Sequence, residues 1–116
     1  MKTSELRGTA LDWAVAKCEG LNTYIEVVEG FKPSTDWALG GPIIERERLQ
    51  LSPGLAHDEH RWSAVRYDYL FDDDLDCFMG GATPLIAAMR CYVASKLGNE
   101  VQIPEELSAH ATPPEG

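Results

Sequence analysis

The sequence predicts an α+β domain: a short antiparallel sheet of about three strands packed against an N-terminal helix, a short middle helix and a long C-terminal helix. Three observations carry this. Thr83 to Gly98 is a fully punctuated helix, with an N-cap Thr83, Pro84 at the first helical position and Gly98 just past the end. Thr9 to Glu19 is a second apolar helical stretch, closed by Gly20. From Trp62 the apolar residues switch to period two, which is the signature of a strand with one covered face.

The N-terminal helix opens on Thr9-Ala-Leu-Asp12, a capping-box spacing. Ala10, Leu11, Ala14, Val15 and Cys18 form one apolar side, and Trp13 and Ala16 another, so this helix should meet neighbours on two sides. Thr23-Tyr-Ile-Glu-Val-Val28 is β-branched and aromatic and reads as a strand, ended by Gly30 to Pro33. Ser34-Thr-Asp-Trp37 reads as a capped turn. Gly40-Gly41-Pro42 reopens the chain, and Pro42 either starts a short helix to about Glu47 or leads into an irregular segment. Leu49-Gln-Leu51 is a short strand candidate, stopped by Ser52-Pro-Gly54.

Leu55 to His60 reads as polar loop. In the strand from Trp62, Val65, Tyr67, Tyr69 and Phe71 share one face, expected to be the inner one, while Ala64, Arg66, Asp68 and Leu70 share the other. Asp72 to Gly81 reads as a charged loop leading to the long helix. On that helix Leu85, Ala88, Met89, Tyr92, Val93 and Leu97 form a stripe that should lie over the sheet, with Cys91 pointing away. Val101-Gln-Ile103 is a possible last extended segment. One domain over residues 1–107 with a disordered tail over 108–116 is expected, since Ala109 to Gly116 has little to bury.

Composition narrows the function classes. The 116 residues are 44% hydrophobic and 25% charged, as in ordinary globular domains, and no apolar run approaches the ~20 residues of a membrane span. The N-terminus has no apolar segment behind Lys2, so it does not read as a signal peptide. The formal charge of −9 equals the count of two groups: Asp68, Asp72, Asp73, Asp74 and Asp76, and Glu100, Glu105, Glu106 and Glu115. Acidity so placed argues against direct contact with nucleic-acid phosphates or an anionic membrane. Cys18, Cys77 and Cys91 have no paired spacing and read as reduced thiols of a cytoplasmic protein.

The candidate chemical motifs are incomplete. His57-Asp-Glu-His60 supplies metal-ligand side chains, but in a loop and without the zinc-helix pattern. Asp72 to Asp76 resembles the start of a calcium loop, yet its sixth and twelfth positions are Cys77 and Thr83 rather than Gly and Glu. No G-x-S-x-G, P-loop or G-x-G-x-x-G is present, so no catalytic, metal or cofactor residue is assigned and no cofactor is expected. The stretch Ser34 to Glu47 has two readings. Either it presents Asp36, Trp37, Glu45 and Arg46 to a partner, or Trp37 plugs the core and Glu45 and Arg46 form a solvated pair.

Three blocks, Ala10 to Gly20, Ser34 to Glu47 and Thr83 to Gly98, resemble the phage NinX-like family, and the last runs on through Leu107. The resemblance implies a phage or prophage origin, the bacterial host cytoplasm and a relation to a phage domain with α–β–α layers. It supplies no catalytic residue and no biochemical role. Where the family usually has Gly after Glu-Arg-Glu, this chain has Arg48, which weakens a glycine-closed helix end. The function expected is that of a non-enzymatic accessory module binding a host or phage protein. The alternatives are an acidic nucleic-acid mimic that titrates a DNA-binding protein, and a small enzyme with an unrecognised site.

Overall fold

The computed structural model describes residues 1–21, 30–53, 61–67 and 75–104. Among them run a 3₁₀ turn (Thr3–Glu5), α1 (Gly8–Cys18), α2 (Trp37–Glu47), β1 (Gln50–Pro53), β2 (Trp62–Tyr67), β3 (Leu75–Gly81) and α3 (Pro84–Leu97). The three strands form one antiparallel sheet in the order β1-β2-β3. The predicted strand at Thr23–Val28, the His57–His60 and Asp72–Asp74 segments, and residues 105–116 lie outside the described residues.

Helix α3 is the centre of the molecule rather than its lid. It packs against the sheet, α1, α2 and the 3₁₀ turn. Its punctuation is as the sequence predicts: Thr83 Oγ1 accepts from Ile86 N at 3.1 Å, and Pro84 occupies the first turn. Gly98 has φ +91° with ψ −169°, a region essentially reserved for glycine, instead of the left-handed helical conformation expected. The predicted stripe is incomplete. Every residue from Ala87 to Val93 is buried, including Cys91, because α1 and the sheet cover the helix from different sides.

The inner face of β2 is the opposite of the one expected. Leu51, Ala64 and Met79 stand in register across the three strands and all join the core, whereas the neighbouring row Gln50–Val65–Phe78 faces outward with Phe78 half exposed. Helix α3 approaches this face closely: a Cβ on Gly81, in register with Trp62, would lie 2.6 Å from the Ala87 nitrogen, so no side chain fits at position 81. Asp72 to Gly81 is correspondingly not all loop: its second half is β3.

Helix α1 is buried from Ala10 through Ala16, as its two apolar sides predict. Its end is a Schellman motif, with Gly20 N on Lys17 O at 3.1 Å and Leu21 N on Ala16 O at 3.0 Å. The capping box does not form. Arg7 holds the N-cap position without a side-chain bond, and Asp12 is turned inward. The N-terminus is clipped to the segment after α3. Thr3 N donates to Asn99 O, Val101 N to Met1 O, and Lys2 and Glu100 form an isolated bridge just before the segment Val101–Ile103.

Arg90 stitches this clip to the sheet. The side chain is buried, and it donates from Nε to Leu6 O at 2.8 Å and from Nη1 to Gly80 O at 2.9 Å. A planar fork with several donors suits two carbonyls fixed on separate elements.

Candidate functional site

Asp36 and Trp37 begin α2, five residues earlier than a helix starting at Pro42. Asp36 is the N-cap, its Oδ1 accepting from Ala38 N at 2.9 Å. Gly40, Gly41 and Pro42 therefore lie inside a helix, where Gly and Pro are the poorest formers. Tertiary fit overrides propensity here. A Cβ on Gly40 would fall 2.5 Å from Pro33 O and 2.6 Å from Leu85 Cδ2, so the helix sits directly on the preceding turn and on α3.

That contact creates a groove. Ser34, Thr35 and Trp37 form one side, and Thr83, Pro84, Leu85 and Ile86 the other, around about 220 Å³. Trp37 is 54% exposed, so it does not plug the core. Among the described residues, the lining contains hydroxyls, an indole and aliphatic groups but no titratable side chain. This composition can hold an apolar side chain of a partner; by itself it holds no acid, base or metal ligand. No group of three or more His, Cys, Asp or Glu among the described residues is placed to bind a metal ion.

The turn below the groove is fixed by a buried carboxylate. Asp12 in α1 is 5% exposed, and its Oδ1 accepts from Ser34 N at 2.9 Å. Burial raises its pKa above the ordinary aspartate value, against the opposing effects of the Ser34 hydrogen bonds and Lys32. The sign follows. With the folded pKa above the unfolded one, this group's contribution to stability is greatest at low pH and declines as pH rises through the folded pKa. Asp12→Asn retains an oxygen acceptor for Ser34 N and does not titrate. Urea melts between pH 3 and 7 should therefore show the variant gaining on wild type as pH rises through that window. A variant more than about 1 kcal/mol less stable at pH 7 would mean that the charge itself is needed.

Glu45 and Arg46 lie at the other end of α2, about 13 Å along its axis from Trp37. The four predicted residues thus stand at the two ends of one helix. Glu45 is exposed. Arg46 does not pair with it. Its guanidinium forks onto Glu19 (Nη1–Oε1 3.2 Å, Nη2–Oε2 2.6 Å), donates from Nε to Glu47 Oε2 at 3.0 Å and from Nη2 to Tyr92 Oη at 3.1 Å, and lies 5.6 Å from the Tyr92 ring centroid. The Tyr92 hydroxyl in turn donates to Glu19. Glu47 also meets Arg66 Nη2 at 3.5 Å and Lys96 Nζ at 3.8 Å. The hydrogen bond from Arg46 holds the Glu19 carboxyl below its usual range, whereas burial, followed by the Glu19 contact, pushes the Tyr92 hydroxyl up. Burial also pushes the neighbouring Cys18 thiol up to about 11, which makes it a poor nucleophile. This network ties the last turns of α1, α2 and α3 together and accounts structurally for Arg46.

The same α2 end explains Arg48. Its N–H donates to Glu45 O and that of Leu49 to Ile44 O, the paired closure of a Schellman motif, and Arg48 itself takes φ +58°. The helix closes as a glycine would close it, with a side chain held in the left-handed region.

A protein-family model described as "Bacteriophage P22, NinX" matches residues 2–96. The chain belongs to the phage NinX family. The NinX match takes in both sides of the groove and the whole Arg46 network. No curated protein matches the chain. The family brings no biochemical role to these residues, and the groove's second wall, Thr83 to Ile86, is the part that sequence reasoning missed. Its only local signal was the capped start of α3; nothing in the 45 intervening residues points back to Trp37. No helix among the described residues is long and apolar enough to cross a membrane.

Proposed function

We propose that this NinX-family chain is an accessory protein that acts by binding another protein, of phage or bacterial host origin, in the host cytoplasm, and that the groove beside Trp37 is its contact. The observation that carries the reading is the exposed indole at a capped helix start beside a recess lined by hydroxyl, aliphatic and aromatic groups. Exposed tryptophans beside pockets are the side chains most often found to dominate protein interfaces. The aliphatic and aromatic groups of the lining support a protein-binding role.

In this reading the four residues divide. Trp37 makes the contact, Asp36 sets the helix that carries it, and Arg46 fixes the far end of that helix. Glu45, exposed on the same helix, is free to extend the contact at the rim. Wild-type chain and Trp37→Ala used as baits in bacterial lysate test this. The expected result is a prey retained by wild type and lost at least about tenfold on the variant, with stability changed by less than about 0.5 kcal/mol because the site is at the surface. Identical prey on both baits would remove Trp37 from the contact.

A further inference from the structure

We propose that α2 is jointed at Gly41-Pro42 and that its first turn, carrying Trp37, swings as a gate over the groove against the first turn of α3. The use of such a gate rests on the contact proposed at Trp37; the joint itself does not. Pro42 is the sixth residue of α2, so the helix lacks one N–H in its middle and the Ala38 carbonyl loses its helical donor. Gly40 and Gly41 precede it directly, placing the three poorest helix formers in one turn.

The two halves are held differently. Beyond Pro42, Ile43 is buried, Arg46 is bonded to Glu19 and Tyr92, and the Arg48 and Leu49 amides close the last turn. Before Pro42, Trp37 and Ala38 are exposed and Leu39 is half-buried. The only buried residue there is Gly40, which has no side chain to anchor it. The first-turn amides of Ala38, Leu39 and Gly40 all donate to one residue, Asp36, through its side chain or its carbonyl. A turn latched by one cap and one backbone fit, next to a break in the helical ladder, can open while the rest of the helix stays in place. Opening carries the indole away from Pro84 and Ile86 and widens the groove.

Native-state amide exchange by NMR on the full chain tests the joint. Ala38 to Glu45, the amides of the opening turn and those whose helical acceptors lie in it, should exchange as one group, at least about tenfold faster than Arg46 and Glu47, with the step after Glu45. Gly41→Ala places its Cβ 3.9 Å from Trp37 Cε3, an ordinary contact, and should slow only the first group, by about fivefold. Equal rates on both sides of that step, a residue-by-residue gradient typical of end fraying, or equal slowing of both groups by Gly41→Ala would each overturn the joint. If the joint fails while Trp37→Ala still loses its prey, the contact stands without a gate. If the joint holds and Trp37→Ala keeps every prey, the contact falls and the joint remains.

Discussion

Arg90→Ala should lower stability by about 2–6 kcal/mol, because two carbonyls fixed inside the fold lose their donor at roughly 1–3 kcal/mol each. Leu6 O belongs to the N-terminal clip and Gly80 O to β3, so one guanidinium ties two separate elements together. Arg90→Lys discriminates this account from simple loss of volume. An ammonium is a point donor on a flexible stem and cannot copy a fork that reaches two fixed acceptors. Its expected cost therefore lies between wild type and Arg90→Ala in urea or thermal melts. Equal stability of wild type and Arg90→Ala would mean that water or a shifted backbone satisfies both carbonyls in the variant. A chain of this size is stabilised overall by only about 5–15 kcal/mol, so the upper part of the range would leave the variant largely unfolded at 37 °C.

The legible parts of this fold are the ones whose signals are local. Thr83, Pro84 and Gly98 punctuate α3, Gly20 closes α1, and the alternation from Trp62 marks β2, each readable within one turn or one strand. The illegible parts depend on residues far apart in sequence. Gly40-Gly41-Pro42 reads as a break, yet Gly40 is needed where α2 touches Pro33 and Leu85, and the requirement is visible only when α3 is in place. The larger residues of β2, Val65 and Tyr67, read as its inner face, yet Ala64 faces the core, and the helix that covers it lies so close that position 81 has no room for a side chain. β3 hides behind the aspartates at Asp72–Asp76 and the pair Gly80-Gly81, which look like a loop. The site follows the same rule. Trp37 stood out as an unusual residue in an unusual stretch, whereas Ser34's tie to Asp12 and the wall from Thr83 to Ile86 are tertiary facts.

Arg46 shows the limit from the other direction. As part of Glu45-Arg46-Glu47 it looks like an ordinary solvated charge, and half of its side chain is indeed exposed. Its fork onto Glu19 and its place over the Tyr92 ring join the ends of α1 and α2 to α3, which sequence spacing does not bring together. Exposed ion pairs of this kind contribute about 0.2–1 kcal/mol, so the network orients the end of α2 more than it stabilises the fold.

Met89→Ala carries the other large effect, about 2–5 kcal/mol. Met89 is fully buried in the middle of α3, inside the cluster that contains Leu11, Val15, Ala64 and Val93. Truncation removes the transfer energy of the lost atoms and leaves a void that neighbours on several elements cannot close together, since moving α3 toward one layer takes it from another. For a domain near this length each kcal/mol shifts the melting midpoint by roughly 4 °C or more, so a fall on the order of 10 °C or more is expected in thermal melts followed by circular dichroism. Met89→Leu conserves most of the volume and should cost less than about 1.5 kcal/mol. If both variants melted with wild type, α3 would not be the layer on which α1 and the sheet close. If Met89→Leu were as damaging as Met89→Ala, side-chain shape at this position, more than buried volume, would govern how the two layers meet.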